Sequence, residues 1–437
     1  MKGIVLLLAL SLSAAAGAEQ AQMLASLGSR SLPSAISTTD SVEDVLGRLS
    51  QRQQRYPQDY EAWLLRALVY FDAGETERGL RELDALLKQV PDFHLAHLVR
   101  GDMLLARVAP LRAFGDNRLL KRLTPAQRAR LDALRFEARM RVAGLRASEA
   151  LQDPRQQRLP RQILKLGESV RHAVLVEKST HRLYIYRRRD GQPPELVRDY
   201  YVSTGKKEGD KVARGDLRTP EGVYFITSWI PQEKLPDKYG VGAFPLNYPN
   251  ELDRRLGKTG YGIWLHGTES RYYSRPPLDS EGCMVLTNID FSSLKDELRP
   301  GSTPVVIVDK VDWLTREQWL AERARVLADL ESWRRDWESL DVDRYLSHYS
   351  DDFWSKGHDL RSWSQRKRRI ARGKSFQKIR LSDISLLAYP EGGSRGKDIV
   401  VARFQQDYES SNYRSDMKKR LYLQRDANRW KIMYEGR

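Results

Sequence analysis

The spacing of hydrophobic residues changes twice along the chain, and these changes divide it into three regions. Residues 19–160 carry apolar positions at helical spacing, with many Leu, Ala, Arg and Glu and few β-branched residues. Residues 170–311 contain short runs of Val, Ile, Tyr and Phe punctuated by Gly and Pro, as in an all-β sandwich or barrel. Residues 325–437 place a helical pattern before strand-like runs. We therefore predict a multidomain protein with an all-α region, a mainly-β domain and an α+β domain.

The helical region contains a weak internal repeat. Tyr56-Pro57 recurs as Val90-Pro91, and 90 − 56 = 34 is the tetratricopeptide period. A generic helical bundle explains the pattern equally well, so both alternatives stay open. In either case we expect a packing or docking module. Several residues fall where the packing positions of the repeat would lie: Trp63, Ala67, Tyr70, Leu83 and Leu86.

The first residues predict export. The stretch MKGIVLLLALSLSAAAGAEQ has Lys2 before an apolar core that is too short to span a bilayer. Ala16-Gly17-Ala18 fits the small-x-small cleavage rule, which predicts a signal peptide over residues 1–18. The alternative is a buried N-terminal helix. No later apolar run approaches the ~20 residues of a transmembrane helix, so we expect a periplasmic or secreted protein.

The charge of the chain predicts a polyanionic neighbourhood. The formal net charge is +16 and the pI is near 9.7. In an exported protein this favours an anionic envelope surface or wall polymer, and we expect no nucleic-acid partner. A basic run covers residues 366–374. A solvated helix face is the more common explanation of such a run, and attachment to an anionic polymer is the alternative.

Cys283 is the only cysteine of the chain, and His266 precedes it by 283 − 266 = 17 residues. The attacking species of a cysteine enzyme is the thiolate, and a nearby histidine commonly generates it. The run IWLHG predicts a strand ending at His266, and SEGCMVL predicts another that begins at Cys283. Gly282 would let backbone N–H groups approach a developing oxyanion. On these residues alone, a catalytic pair and a small buried cysteine beside an unrelated histidine are equally good explanations.

The surrounding motifs resemble the L,D-transpeptidase (YkuD-type) catalytic domain family. His266-Gly267 followed by Ser280-Glu281-Gly282-Cys283 matches the family signature, and TPEGVYFI from Thr219 matches a second landmark. The resemblance covers about residues 171–309. It implies that Cys283 is the nucleophile and His266 the base, that the backbone of Gly282 and Cys283 forms the oxyanion hole, and that the Ser280 carbonyl orients His266. The substrate-binding positions that it implies are Gly267, Thr268, Tyr248, Lys258 and Tyr261.

The reaction implied by this resemblance is acyl transfer on peptidoglycan. The enzyme would attack after meso-diaminopimelate in a stem tetrapeptide, release D-Ala and pass the acyl group to an amine. Water as acceptor would instead make an L,D-carboxypeptidase or release wall-attached protein. Two departures bear on the acceptor: many members carry Arg or Asn where this chain has Met284 to Leu286, and His or Arg where it has Glu281. The motifs predict no metal and no organic cofactor.

The C-terminal region resembles an NTF2-like domain, through ESWRRDWESLDVDRYLSHYSDDF, VVARFQQDYES and WKIMYEG. Together with the helical region and the YkuD-type core, this order resembles the cell-shape-determining L,D-carboxypeptidases of curved and helical bacteria. The helical and NTF2-like regions are candidate sites for envelope protein partners. A non-catalytic envelope scaffold is the alternative from another class of function. Candidates for an NTF2-like pocket, chosen only by position, are Tyr345, His348, Asp351 and His358.

Overall fold

A computed structural model describes residues 41–111, 114–115, 123–152 and 158–436. The predicted signal peptide lies outside these residues. The chain divides into two compact units. The first contains the described residues up to Glu149 together with the separate segment Ser270–Pro277, and the second contains Ala150–Glu269 and Leu278–Arg437. In the described part of the chain, no helix is long and apolar enough to cross a membrane.

The first unit is built from amphipathic helices. Ser41 caps the first helix by accepting a hydrogen bond from the Asp44 N–H, and Asp59 caps the second by accepting one from the Ala62 N–H. The second helix begins at Tyr60 and the fourth at His94, and 94 − 60 = 34 equals the predicted repeat period. Assignment to the tetratricopeptide class stays a prediction. The helices are α1 (Val42–Arg55), α2 (Tyr60–Asp72), α3 (Thr76–Gln89), α4 (His94–Ala106) and α5 (Pro125–Gln152).

Short β-strands and two short helices form the middle of the chain. They are β1 (Leu159–Pro160), β2 (His172–Glu177), β3 (Arg182–Arg187), β4 (Glu195–Tyr201), β5 (Thr204–Gly205), β6 (Gly222–Phe225), β7 (Ile230–Pro231), β8 (Gly242–Pro245), α6 (Glu251–Arg255), β9 (Trp264–His266), β10 (Leu278–Ser280), β11 (Met284–Val285), α7 (Asn288–Leu294), β12 (Pro304–Val308) and β13 (Trp313–Leu314). Single 3₁₀ turns occupy Gln232–Lys234, Asp237–Tyr239 and Lys295–Glu297.

These strands form a sandwich, which confirms the predicted mainly-β class. One sheet has the order β4-β3-β2-β12-β6, and a second has the order β11-β9-β8-β7. Because strand residues alternate between faces, Val174 and Val176 of β2 point into the core shared with the second sheet. Ala173 and Leu175 point to the opposite face, which is also buried. The β2 strand therefore lies in a middle layer, as its uniformly buried sequence HAVLVE requires.

The C-terminal part is an α+β domain, also as predicted. Its curved sheet has the order β15-β14-β19-β18-β17-β16 and packs around helices through a core that contains Trp319, Trp333 and Phe404. The elements are α8 (Arg316–Glu338), α9 (Val342–Leu346), β14 (Tyr349–Ser355), β15 (His358–Asp359), α10 (Leu360–Arg372), β16 (Gln377–Ala388), α11 (Glu391–Ser394), β17 (Ile399–Ser410), β18 (Tyr413–Asp426) and β19 (Arg429–Gly436).

The sandwich and the C-terminal domain share one hydrophobic core within the second unit. Leu175 and Val306 of the sandwich belong to the same buried cluster as Leu387 and Tyr422 of the C-terminal sheet. A polar contact borders this cluster, because the Arg420 guanidinium lies 2.7 Å from the Glu251 carboxylate. The back of the β-sandwich is therefore covered by the C-terminal sheet, and its other sheet carries the candidate site.

Candidate active site

Cys283 and His266 lie on neighbouring parallel strands. Met284 of β11 pairs with Leu265 of β9, and Val285 pairs with His266. The Leu286 N–H then donates to the His266 carbonyl at 3.0 Å. Leu265 and Met284 point into the sandwich core, so the alternation of strand residues places His266 and Cys283 on the opposite face. The predicted strand ending at His266 is confirmed, and the second strand begins one residue after Cys283.

The Cys283 thiol is partly accessible and makes a contact with the backbone. The side chain has intermediate exposure and forms no disulfide. Its Sγ donates to the Gly262 carbonyl at 3.4 Å. Gly262 precedes β9 and is separated from His266 by only four positions, so a single stretch of chain contacts the thiol and supplies the imidazole. A thiol that solvent reaches at the edge of a sheet can meet a peptide substrate.

The His266 imidazole is oriented by the residue that follows it. Its Nδ1 lies 2.6 Å from the Gly267 carbonyl oxygen, and the side chain is buried. A carbonyl only accepts hydrogen bonds, so Nδ1 is the protonated nitrogen and the basic lone pair is on Nε2. The ring of Tyr239 packs edge-on against the imidazole at 5.0 Å between centroids. This tautomer is the one that can take a proton from a thiol.

Asn288 fixes the backbone that orients His266. Its Oδ1 accepts from the Thr268 N–H at 3.0 Å and from the Val241 N–H at 3.3 Å, and its Nδ2 donates to the Thr268 carbonyl at 2.8 Å. A Cβ on Gly267 would lie only 2.2 Å from the same Oδ1. Gly267 is therefore required by close packing. Sequence reasoning missed Asn288 and Tyr239, although the long loop before His266 was a signal for the tyrosine.

The turn before Cys283 depends on Gly282 and Ser280. Gly282 has φ +126°, and a Cβ there would lie 2.7 Å from the Arg218 carbonyl oxygen. The Ser280 hydroxyl accepts from the Gly282 N–H at 3.1 Å and donates to the Cys283 carbonyl at 2.6 Å. The Ser280 carbonyl accepts from the Lys206 N–H at 2.8 Å. Ser280 thus shapes the turn before Cys283 through its hydroxyl. Orientation of His266 by the Ser280 carbonyl stays a prediction, and so does the oxyanion hole formed by the backbone of Gly282 and Cys283.

The predicted substrate-binding residues occupy different environments. Gly267 and Thr268 directly follow His266, and Tyr261 is 69% exposed next to Gly262. Tyr248 is buried, and its hydroxyl donates to the Thr259 carbonyl at 3.1 Å. The buried Lys258 ammonium pairs with Asp210 at 2.6 Å and Asp253 at 3.1 Å. Burial raises the pKa of the Asp253 carboxyl. The Lys258 charge and hydrogen bonds lower this pKa, but they offset the effect of burial only in part. The side chains of Tyr248 and Lys258 therefore support the loop before His266, and a role in substrate binding stays a prediction.

A second loop, which follows β5 and was not predicted from the sequence, lies next to the turn before Cys283. Strand β5 pairs in parallel with β10, Gly205 opposite Ser280, so the motifs VSTG and SEGC lie side by side. The loop after β5 is held by Asp216, which accepts the N–H groups of Val212, Ala213 and Arg218. Although burial raises its pKa, these bonds and the Lys211 ammonium lower the Asp216 pKa to about 2. The Gly- and Lys-rich composition of this loop was the available signal.

The C-terminal domain contains a separate cavity of about 970 Å³. Of the residues predicted by position, Tyr345 and His358 line it, whereas the buried His348 forms a hydrogen bond with Asp336, at 2.7 Å between Nε2 and Oδ2. Most of the basic run lies on the exposed side of α10, whereas the Lys367 ammonium lies 4.5 Å from the Trp363 ring centroid and Lys374, just after the helix, donates to the Ser410 hydroxyl at 2.7 Å. Within the described residues, no group of His, Cys, Asp and Glu side chains has the arrangement of a metal site.

The fold and the site define the class of the protein by its architecture: a β-sandwich with a cysteine and a histidine at the ends of neighbouring strands, followed by an α+β domain. Residues 171–307 match the family model of the L,D-transpeptidase catalytic domain, YkuD. Residues 325–436 match the Cds6 C-terminal NTF2-like domain. Residues 171–307 therefore form a domain of the L,D-transpeptidase catalytic type and residues 325–436 an NTF2-like domain, and these two resemblances found in the sequence are confirmed.

Solved structures are similar to this chain over more than 60% of its length. Bd1075 of Bdellovibrio bacteriovorus is 29% identical, with a TM-score of 0.56 over 64% of this chain and 97% of that chain. The helical cell shape determining protein Pgp2 of Campylobacter jejuni is 28% identical, with a TM-score of 0.53 over 63% of this chain and 95% of that chain. No curated protein matches this chain. The helices α1 to α5 precede both ranges that match family models.

Proposed function

We propose that this protein is a periplasmic peptidoglycan enzyme that forms a thioester on Cys283. His266 Nε2 takes the thiol proton, and the sulfur attacks the carbonyl carbon of meso-diaminopimelate in a stem tetrapeptide. The C–N bond to D-Ala breaks, the imidazolium returns its proton to the leaving nitrogen, and D-Ala departs as a free amino acid. The observation that carries the proposal is the tautomer of His266, with Nδ1–H on the Gly267 carbonyl and the basic nitrogen on the face that it shares with Cys283.

For the second half-reaction we propose water as the acceptor. His266 would take a proton from water, and the hydroxide would attack the thioester carbonyl. The C–S bond would break, the imidazolium would return its proton to the sulfur, and the tripeptide would leave as a carboxylic acid that ionises in water. Two observations support hydrolysis. Met284, Val285 and Leu286, which stand where many family members carry Arg or Asn, are buried apolar residues. The solved structures similar to this chain include that of a helical cell shape determining protein, and the order of the regions resembles the cell-shape-determining L,D-carboxypeptidases. A role in cell shape is part of this proposal.

Transfer to an amine, the first expectation from the sequence, is the second candidate. It shares the acyl-enzyme and differs only in the group that attacks the thioester. The YkuD match supports it directly, because that family is named for transpeptidation. Muropeptide analysis separates the two reactions: tripeptide without new dimers means hydrolysis, and 3-3 crosslinked dimers mean transfer.

The experiment uses the purified full chain with a disaccharide tetrapeptide containing meso-diaminopimelate. We expect release of D-Ala and a mass increase on Cys283 equal to the acyl group. Cys283→Ala should abolish turnover, and His266→Ala should lower it at least ~100-fold, since general acid–base catalysis contributes about 10²–10⁴-fold. His181→Asn is the matched control, because His181 is another buried histidine with Nδ1 on a backbone carbonyl, that of Val202. Turnover by Cys283→Ala would refute the assignment of the nucleophile, and a parent protein with neither an adduct nor turnover would favour the envelope scaffold.

A further inference from the structure

The chain between His266 and Cys283 leaves the catalytic sandwich and becomes part of the helical unit. This segment, Ser270–Pro277, groups with the helices rather than with the strands on either side of it. It begins 270 − 266 = 4 residues after His266 and ends 283 − 277 = 6 residues before Cys283. Neither family model extends to the helices that hold it, since the first matched range begins at residue 171. The role of the helical unit is therefore open.

Tyr273 anchors the segment in the helical unit. The side chain is 7% exposed, and its ring lies 4.3 Å from the Phe93 ring and 6.1 Å from the Tyr60 ring, measured between centroids. Tyr60 is the first residue of α2 and Phe93 caps α4, so the tyrosine packs between the starts of two helices that are one repeat period apart. The next ring along, Tyr272, contacts His94 at 5.8 Å. An aromatic side chain buried between aromatic partners provides a strong and specific contact.

A buried charge network ends at the neighbouring residue, Ser274. The Ser274 hydroxyl donates to Glu137 Oε1 at 2.8 Å. Glu137 pairs with Arg141 at 2.8 Å, and Arg141 pairs with Glu61 at 2.9 Å, all three being almost fully buried. Arg141 also lies over the Phe93 ring at 5.4 Å. Buried ion pairs need extra hydrogen bonds to satisfy their remaining lone pairs, and the segment supplies one of them. The contacts of Ser274 and Tyr273 thus involve α2, α4 and α5 together.

Because the helices hold residues 270–277, only short spans of chain next to His266 and Cys283 remain to be restricted. Residues 267–282 would form a loop of 16 residues (282 − 266 = 16) if only their ends were held. Holding 270–277 leaves short spans of three residues (267–269) and five residues (278–282). Short spans have fewer conformations, so each restricts the strand end to which it is attached. One span leads from His266 and the other leads to Cys283.

We propose that the helical unit is a positioning module for the catalytic pair, and that Tyr273 is its positioning residue. Held by the helices, the loop keeps the ends of β9 and β11 in the register that places His266 beside Cys283. The expected effect on turnover rests on the proposed function. The expected effect on the reactivity of the Cys283 thiol rests only on the pairing of Cys283 with His266. Tyr273 acts through the loop and does not touch the reacting atoms.

The test measures the reactivity of Cys283 as well as turnover, in the full-length protein. In Tyr273→Ala we expect the rate of Cys283 alkylation by iodoacetamide at pH 7 to fall about 10-fold, because a displaced imidazole forms less thiolate. The kcat for tetrapeptide should fall about 10- to 100-fold, since a misplacement of about 1 Å costs rates of that order. Tyr273→Phe keeps the ring contacts and should restore both rates. Tyr413→Ala, the same change at a tyrosine that is 56% exposed, is the matched control.

The possible results separate the two proposals. In Tyr273→Ala, deuterium exchange over residues 268–279 should rise while the helical circular dichroism signal is kept. If Tyr273→Ala does not fold, Ser274→Ala is the milder variant for the same measurements. Wild-type alkylation and turnover rates in a folded Tyr273→Ala protein whose loop exchanges faster would overturn the positioning role. If the parent protein turns over no tetrapeptide, the proposed function fails, and the alkylation rates still decide whether the helices position the thiol and the imidazole.

Discussion

The imidazole of His266 takes its orientation from the backbone of the next residue, and Asn288 holds that backbone. The Gly267 carbonyl can receive Nδ1–H only if the peptide plane between Gly267 and Thr268 is fixed. Asn288 fixes it with contacts to both the N–H and the carbonyl of Thr268. An amide side chain is suited to this task, because it offers a donor and an acceptor at once. Control of the His266 tautomer therefore extends beyond Gly267 to Asn288.

At the residue scale we predict that Asn288→Ala lowers kcat about 10- to 100-fold, because the imidazole loses its fixed carbonyl partner. The protein should also lose about 1–3 kcal/mol of unfolding free energy, since the Thr268 N–H is left without its acceptor. Asn247→Ala is the matched control: Asn247 Oδ1 accepts the Phe225 N–H at 2.7 Å in the same domain. Steady-state kinetics and urea titration measure both effects. Equal losses of kcat in the two variants would contradict the role of Asn288.

At the scale of elements, the connection between β2 and β3 carries a buried histidine that is neutral in the folded protein. His181 has φ 52° and is 3% exposed, and its Nδ1 lies 3.3 Å from the Val202 carbonyl. Burial lowers its pKa to about 4, because the interior does not solvate an imidazolium; the Val202 carbonyl offsets this only in part, and the Lys178 charge adds to the lowering. The unfolded chain binds a proton near the ordinary pKa of 6.5.

This difference predicts a loss of stability in mild acid. The folded pKa lies below the unfolded pKa, so the unfolded state binds more protons between pH 6.5 and about 4. The stabilisation from His181 is thus complete above pH 6.5 and falls by up to about 3 kcal/mol as the pH drops to about 4. His181→Asn, whose side chain also tolerates positive φ, should lose less stability over this range. Urea midpoints at pH 7.5 and 4.5 for both proteins measure the difference, and identical pH dependence would refute the assignment.

The strands next to the site could be predicted from the sequence, but their partners could not. IWLHG and SEGCMVL have the apolar pattern of strand ends, so the positions of His266 and Cys283 followed from local sequence. The pairing of Gly205 with Ser280 and the contacts of Asn288 join separate stretches and leave no periodic signal. The same is true of Tyr273, whose partner Phe93 lies 273 − 93 = 180 residues away. Long-range packing determines these contacts, and hydrophobic periodicity reports only local structure.

At the scale of the whole molecule, the sequence predicts separate catalytic and NTF2-like domains, and the structure joins them through one core. On β16, Leu387 points to the core shared with the sandwich, whereas the preceding Leu386 points into the core of the C-terminal domain itself. Both side chains are completely buried. A sheet that is buried on both faces cannot separate from the sandwich without exposing that shared core to water.

We therefore predict that the sandwich and the C-terminal domain, residues 159–269 and 278–436, unfold as one cooperative unit. Leu386→Ala and Leu387→Ala should each cost about 2–5 kcal/mol, the usual range for such a truncation in a core. Leu386 does not belong to the core cluster that reaches the sandwich, so any effect of Leu386→Ala on β12 must be transmitted by cooperative unfolding. Native-state hydrogen exchange should then show the same loss of protection in β12 as in β17 for both variants. Arg380→Ala, an exposed change on the same strand, should leave both strands protected. If Leu386→Ala lowers protection in β17 and leaves β12 unchanged, the two domains unfold separately, and the shared core is then a contact surface between independent folding units.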